Sequence, residues 1–223
     1  PTQPGLRALD VGCGAGALTQ RLVDRLGAGQ VSAVDPSASF VAATRQRFPD
    51  VDVRCAAAEQ LPFLDATFDV VLAQLVVHFM ADPVQGLREM ARVARPGGTV
   101  AACVWDHAGG GGPLASFWRA VREIDPGAVD EGDLPGAREG HLAELCAQAG
   151  LDDIVSSSLT VTVGFATFDD WWEPFTLGVG PAGAHVAGLD DAGRTLLRDR
   201  CARLLPTGAF HVDASAWCVR ART

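Results

Sequence analysis

The sequence predicts an α/β protein built on a mostly parallel sheet with helices on both faces. Three observations carry this expectation. Short β-type runs alternate with helical periodicity through the first half of the chain, the pattern of strands joined by crossover helices. The run over residues 68–77 is nearly all apolar and rich in Val, as befits a central parallel strand covered on both faces. The 223 residues, 48% hydrophobic and 20% charged, have the composition of an ordinary globular chain. A chain of this length buries roughly 70% of its unfolded surface and needs no stapling.

Taken in order, residues 6–11 form a compact apolar run that ends in a glycine cluster, so they read as the first strand. Residues 17–26 then place Leu18, Leu22, Val23 and Leu26 on one helical face. Residues 30–35 read as a second strand closed by Asp35; Pro36 and Ser37 open a helix that runs to about residue 48 and is stopped by Pro49. Residues 51–55 make a short third strand, and residues 68–77 a fourth. Asp82 caps a helix with Pro83 in its first turn and Leu87, Met90, Ala91 and Ala94 as its core stripe. Pro96-Gly97-Gly98 ends that helix, and residues 99–105 form a fifth strand. A glycine run, Gly109 to Gly112, is a loop. Residues 138–149 read as a helix with Gly150 as its stop. Residues 151–165 and 209–219 alternate as a final antiparallel pair. Residues 166–208, far longer than a hairpin needs, carry Trp171, Trp172, Phe175 and a helix near 191–205, and read as an insertion or lid.

Composition excludes several functions. The 18 basic residues face 27 acidic ones, a formal charge of −9, which disfavours a cradle for nucleic acid or an anionic membrane. Every basic residue is Arg, and Lys, Tyr and Asn are absent. Those amino acids have AT-rich codons, so their absence points to a GC-rich bacterial genome. Without Lys there is no Schiff base or pyridoxal-phosphate anchor, and without Tyr no phenolic catalyst. Cys13, Cys55, Cys103, Cys146, Cys201 and Cys218 are widely spaced with no metal-binding cluster, so no metal is expected and the thiols suit a reducing cytosol. No apolar stretch of about 18 residues and no charged leader with an apolar core is present, so a cytoplasmic location is expected.

Chemistry concentrates in Asp10-Val11-Gly12-Cys13-Gly14-Ala15-Gly16, at a strand-to-helix turn, where an open α/β sheet meets nucleotide-like ligands at a helix N-terminus. Taken alone the spacing is ambiguous. Gly12, Gly14 and Ala17 also satisfy the dinucleotide pattern, with Asp35 about where a ribose-binding acid belongs.

Ala8 through Gly16 also resembles the first motif of the class I S-adenosylmethionine-dependent methyltransferases. Three further signals follow in register: Asp35 closing the second strand, Ala58-Glu59-Gln60-Leu61-Pro62-Phe63, and Phe68-Asp69-Val70-Val71 followed by Arg92-Val93-Ala94-Arg95-Pro96-Gly97-Gly98. The resemblance is closest to the ubiquinone- and menaquinone-type small-molecule branch and is good over about residues 6–105. It implies a Rossmann-like, seven-stranded, mostly parallel sheet with helices on both faces, an antiparallel last strand and a helical lid insertion. One domain over 1–223 is then expected, with a cofactor-binding half over 6–106 and insertions over 107–136 and 166–208.

The resemblance implies S-adenosylmethionine as cofactor, S-adenosylhomocysteine as product, and transfer of a methyl group to a small, largely apolar acceptor, without a metal. Asp35 would accept hydrogen bonds from both ribose hydroxyls. Gly12, Cys13, Gly14 and Gly16 would bring the backbone to the cofactor's amino-acid tail, with Cys13 as small packing. Asp10 would either meet the ammonium or brace the turn. Pro36, Ala58 and Glu59 would lie near the adenine; the family often has an acid where this chain has Ala57. Gln74 would point into the cleft. His78, after the central strand, is the first candidate for a base, and His107, Trp171, Trp172 and Phe175 are candidates to touch the acceptor. A monomer or homodimer is expected. The readings that compete are a cofactor-binding regulator that transfers nothing and, further off, a nicotinamide-dependent oxidoreductase.

Overall fold

A computed structural model of the protein describes residues 5–223. Its strands β1 (Ala8–Val11), β2 (Val31–Asp35), β3 (Asp52–Cys55), β4 (Phe68–Gln74), β5 (Ala94–Trp105), β6 (Asp152–Phe165) and β7 (Phe210–Arg222) form a seven-stranded sheet in the order β3-β2-β1-β4-β5-β7-β6. β1 lies parallel to β2 and β4, with Asp10 opposite Ala33 on one side and Leu72 on the other. β2 with β3 and β4 with β5 are likewise parallel. β7 runs antiparallel to its neighbours: Asp106 N–H donates to the Ser215 carbonyl, and the Thr160 and Thr162 hydroxyls bond the Ser215 and Asp213 side chains. The fold is thus the Rossmann-like one expected. Strand order reverses between β1 and β4, which opens a crevice at their carboxyl ends.

The chain divides into two compact units. The first holds residues up to 104 together with 134–158 and 217–223. Helices α1 (Ala17–Leu26) and α2 (Ala38–Arg47) cover one sheet face, where Leu22, Val41 and Phe48 pack on Ala8, Val31, Ala33 and Val53. Helices α3 (Pro83–Val93) and α5 (His141–Gln148) cover the other, where Leu87, Met90, Leu142 and Leu145 pack on Leu9, Val11, Val71 and Ala73. Each such fully buried side chain contributes about 1.5–3 kcal/mol. The second unit holds residues 105–133 and 159–216, so it takes in about half of β6 and of β7, most of the expected insertion over 107–136 and all of that over 166–208. Its core joins α4 (Ala115–Ile124), α6 (Phe168–Trp172), α7 (Gly180–Ala187) and α8 (Asp191–Leu204) through Phe117, Trp118, Trp172, Val186 and Leu197.

Several strand boundaries differ from expectation: β1 starts at Ala8 instead of residue 6, β7 runs on to Arg222 instead of ending at 219, and the ends of β4 and β5 shift for local reasons. β4 stops at Gln74, not at residue 77, because Leu75 turns left-handed (φ 61°) with its N–H held by the Cys103 carbonyl at 2.9 Å. The apolar Val77 that follows is buried in a 3-10 turn instead. β5 begins at Ala94 and not after the glycines, since α3 has ended at Val93 and Ala94 pairs with Phe68 ahead of a register shift.

A single arginine ties two sequence motifs together. Arg92 donates two hydrogen bonds to the Glu89 carboxylate (2.7 and 2.8 Å), and others to the carbonyls of Leu61 and Phe63 and to Asp65. Glu89 in turn accepts the Leu61 N–H at 2.9 Å. The Arg92 hydrogen bonds, opposed by desolvation, hold the Glu89 carboxyl below its ordinary value. Arg92→Ala should therefore lower stability by about 2 kcal/mol, and hydrogen exchange should show the Leu61 amide opening first. Unaltered exchange at Leu61 would leave the arginine no bracing role.

Candidate functional site

The site is assembled from the turn after β1. Gly12 and Cys13 both donate their N–H groups to the Val34 carbonyl, at 2.8 and 2.9 Å, which fixes the turn against β2. Gly12 has φ 72°, and a Cβ there would stand 2.6 Å from Val76 Cγ1, so only glycine fits beneath the loop after β4. Gly14 donates to Asp35 Oδ2 at 2.9 Å, and the Thr44 hydroxyl of α2 donates to the Gly14 carbonyl at 2.7 Å. Gly16 is the left-handed N-cap of α1.

Asp35 is 6% exposed at the end of β2, with its carboxylate accepting from Gly14 on one oxygen and from the Ser37 N–H (2.8 Å) on the other. The cap of α2 is the Ser37 hydroxyl, so Asp35 does not serve as that helix's cap. Each carboxylate oxygen keeps a further lone pair.

Asp10 is 1% exposed; the Thr19 hydroxyl donates to its Oδ2 at 2.6 Å, while Oδ1 has no partner. Burial pushes its carboxyl from 3.8 up to about 6, with the Thr19 hydrogen bonds pulling it partway back and Asp35 adding a little. Cys13 is buried and burial pushes its thiol up to about 12, which makes it packing and not a nucleophile.

The other candidates fall into two groups, one in each unit. Gln74 is exposed at the carboxyl end of β4, and Pro36 is exposed after β2. Ala58 is half-buried, and Glu59 accepts the Asp82 N–H at 3.2 Å, which ties it to the start of α3. His78 is 5% exposed in the turn after β4, its ring centroid 3.9 Å from that of Phe79. These belong to the first unit. The second unit holds His107, Trp171, Trp172 and Phe175. There Trp171, Trp172 and Phe175 are 3%, 7% and 8% exposed, and Phe175 stacks on Phe117 at 4.7 Å, so these rings are that unit's core. Burial pushes His107 below its ordinary value, against the pull of Glu131, Asp106 and Asp130.

Sequence reasoning missed Thr19, Thr44 and Val76. Thr19 and Thr44 are wholly buried polar residues on helices, and a hydroxyl among apolar helix positions was the available signal. Nothing in a linear reading marks Val76.

Among the described residues no helix is long and apolar enough to cross a membrane, and no group of His, Cys, Asp and Glu is arranged to hold a metal. A cavity of about 660 Å³ lies at the opposite end of the sheet from the glycine turn, with Leu22, Arg25, Val70, Arg95 and Arg220 in its lining.

The strand order, the glycine turn and the acid closing β2 together define a class I methyltransferase fold. Comparison agrees: residues 9–102 match the family model described as a methyltransferase domain. This stretch resembles the class I S-adenosylmethionine-dependent methyltransferase domains of quinone methyltransferases. The ubiquinone biosynthesis O-methyltransferase of Nitrobacter winogradskyi is 43% identical over 102 residues, which is 44% of this chain and 38% of that protein. The match thus spans well under half of the relative's length. Among solved structures, the YcgJ protein of Bacillus subtilis has a TM-score of 0.60 at 20% identity, covering 98% of this chain and 92% of its own. Haemonchus contortus phosphoethanolamine N-methyltransferase 2, solved in complex with S-adenosyl-L-methionine, has a TM-score of 0.61 at 17% identity over 100% of this chain and 50% of its own.

Proposed function

We propose that this protein transfers a methyl group from S-adenosylmethionine to a small, largely apolar metabolite. The observation that carries the reading is the pair of carboxylates around one glycine turn: Asp35 braced by two backbone N–H groups, Asp10 buried with Oδ1 unmatched. When bound, the cofactor supplies an electrophilic methyl group on a sulfonium, passed by in-line displacement. Asp35 holds the ribose hydroxyls through its spare lone pairs. Asp10 offsets the ammonium of the amino-acid tail, while Gly12, Cys13, Gly14 and Gly16 let the backbone approach it. Pro36, Ala58, Glu59 and Gln74 border the remainder of the nucleoside.

His78 is the residue assigned to take a proton from a protic acceptor, on the strength of its position in the 3-10 turn that follows β4. The buried rings of Trp171, Trp172 and Phe175 are assigned to shaping the second unit's own core. The name of the Nitrobacter relative supports an oxygen acceptor on a quinone precursor.

Calorimetry with S-adenosylmethionine and S-adenosylhomocysteine, followed by transfer of labelled methyl to quinol-like acceptors, tests the proposal. Binding with transfer is the expected result. No heat for either compound at millimolar concentration would sink it, and saturable binding of NAD in their place would favour an oxidoreductase.

A further inference from the structure

Cys103 and Cys218 face each other across the β5–β7 pair, outside the glycine-turn site. The two strands are hydrogen-bonded neighbours running in opposite directions. The Asp106 N–H donates to the Ser215 carbonyl at 2.9 Å, which sets residues 106 and 215 opposite one another as a hydrogen-bonded pair. Three residues along each strand from that pair stand Cys103 and Cys218. The Cys103 carbonyl accepts the Leu75 N–H on the β4 side at 2.9 Å. A strand residue's N–H and C=O point to the same edge, so Cys103 makes no backbone bond toward β7. The cysteines therefore occupy a non-hydrogen-bonded pair, where Cα atoms stand about 4.5 Å apart. Disulfides take Cα separations of about 4.4–6.8 Å, so this pair can close with little backbone movement.

Their thiols are hydrogen-bonded to each other. Both are half-buried, so a small reagent can reach them, whereas Cys13, Cys146 and Cys201 are buried and Cys55 is exposed elsewhere. Cys55, on β3, is four strands from β5 in the sheet order.

We propose that Cys103 and Cys218 form a reversible dithiol–disulfide couple, a modification site whose oxidant is a low-molecular-weight disulfide. One thiolate attacks a sulfur of the oxidant, forming a mixed disulfide and expelling one small thiol. The second thiolate then attacks the cysteine sulfur of that mixed disulfide, closing the bridge and expelling the second small thiol. Two protons and two electrons leave the protein, and the oxidant is reduced to two thiols. Burial pushes both thiols up, Cys218 to about 11, so the exchange is slow at neutral pH and accelerates about tenfold per pH unit.

The test equilibrates the full chain in glutathione buffers from fully reduced to fully oxidised, blocks remaining thiols by alkylation and maps the peptides by mass. A Cys103–Cys218 bridge that appears toward the oxidised end, reverts with reduced glutathione and forms about tenfold faster at pH 8 than at pH 7 is the expected result. In Cys103→Ser the bridge should be lost and glutathione retained on Cys218. The map of the unsubstituted chain decides the matter by itself if that variant fails to fold. Alkylation of both cysteines across the whole range, a bridge to Cys55, or glutathione adducts that never resolve would each overturn the proposal.

Discussion

Replacing Asp10 with Asn should make the protein more stable at pH 8 while leaving its stability near pH 4 almost unchanged. The wild-type carboxyl, pushed from 3.8 to about 6 by burial, binds its proton more tightly in the folded than in the unfolded chain. Folding stability contributed by this group is therefore present below about pH 4 and is lost as pH rises through 6. Above that the folded state carries a desolvated charge whose full cost is about 3 kcal/mol. The amide removes the charge, and Thr19, which donates at 2.6 Å in the wild type, can accept from it instead. The stability gap between variant and wild type should widen by about 2–3 kcal/mol from pH 4 to pH 8 in denaturant unfolding. A gap that does not depend on pH would mean that Asp10 is not the strained acid described. On the proposed role of Asp10, the same substitution should also weaken cofactor affinity at pH 8, because the counter-charge proposed for the ammonium is lost.

Asp35→Ala is expected to have the largest effect on binding. It removes the acceptors proposed for the ribose hydroxyls and leaves the N–H groups of Gly14 and Ser37 without their carboxylate. Two charge-assisted hydrogen bonds at about 1.5–3 kcal/mol each correspond to a loss of about 100-fold or more in affinity for S-adenosylhomocysteine. Asp35→Asn keeps an acceptor for one of the two backbone donors and should lose less. The dissociation constants of the three proteins, measured calorimetrically, check the order. An alanine variant that binds like wild type would remove Asp35 from the site.

Much of the first hundred residues was legible in the sequence, for identifiable reasons. α1 begins and ends where its periodicity predicts, Ala17–Leu26, and Asp82 caps α3 through its bond to the Gln85 N–H. In those stretches local preference and tertiary packing agree. The misplaced ends of β4 and β5 arise where they conflict. Val76 and Val77 look like strand, yet the left-handed Leu75 sends them into a turn, one over Gly12 and the other into the core. The aromatic run from Phe165 to Phe175 was conspicuous in the sequence, but an aromatic residue that lines a ligand and one that fills a core read alike. Their contacts with Phe117 and Leu197 decide it.

The sequence by itself determined the class of fold, the glycine turn and the two acids beside it, because spacing, turn chemistry and apolar period are local properties of the chain. The partners of those groups were decided only by tertiary structure. Thr19 on Asp10, Thr44 and Asp35 on Gly14, Arg92 on the Leu61 loop and Cys218 against Cys103 join residues 9 to 115 positions apart. Hydrogen-bond geometry, desolvation and strand register exist only once such distant segments have been brought together, and none of them leaves a mark on either segment alone.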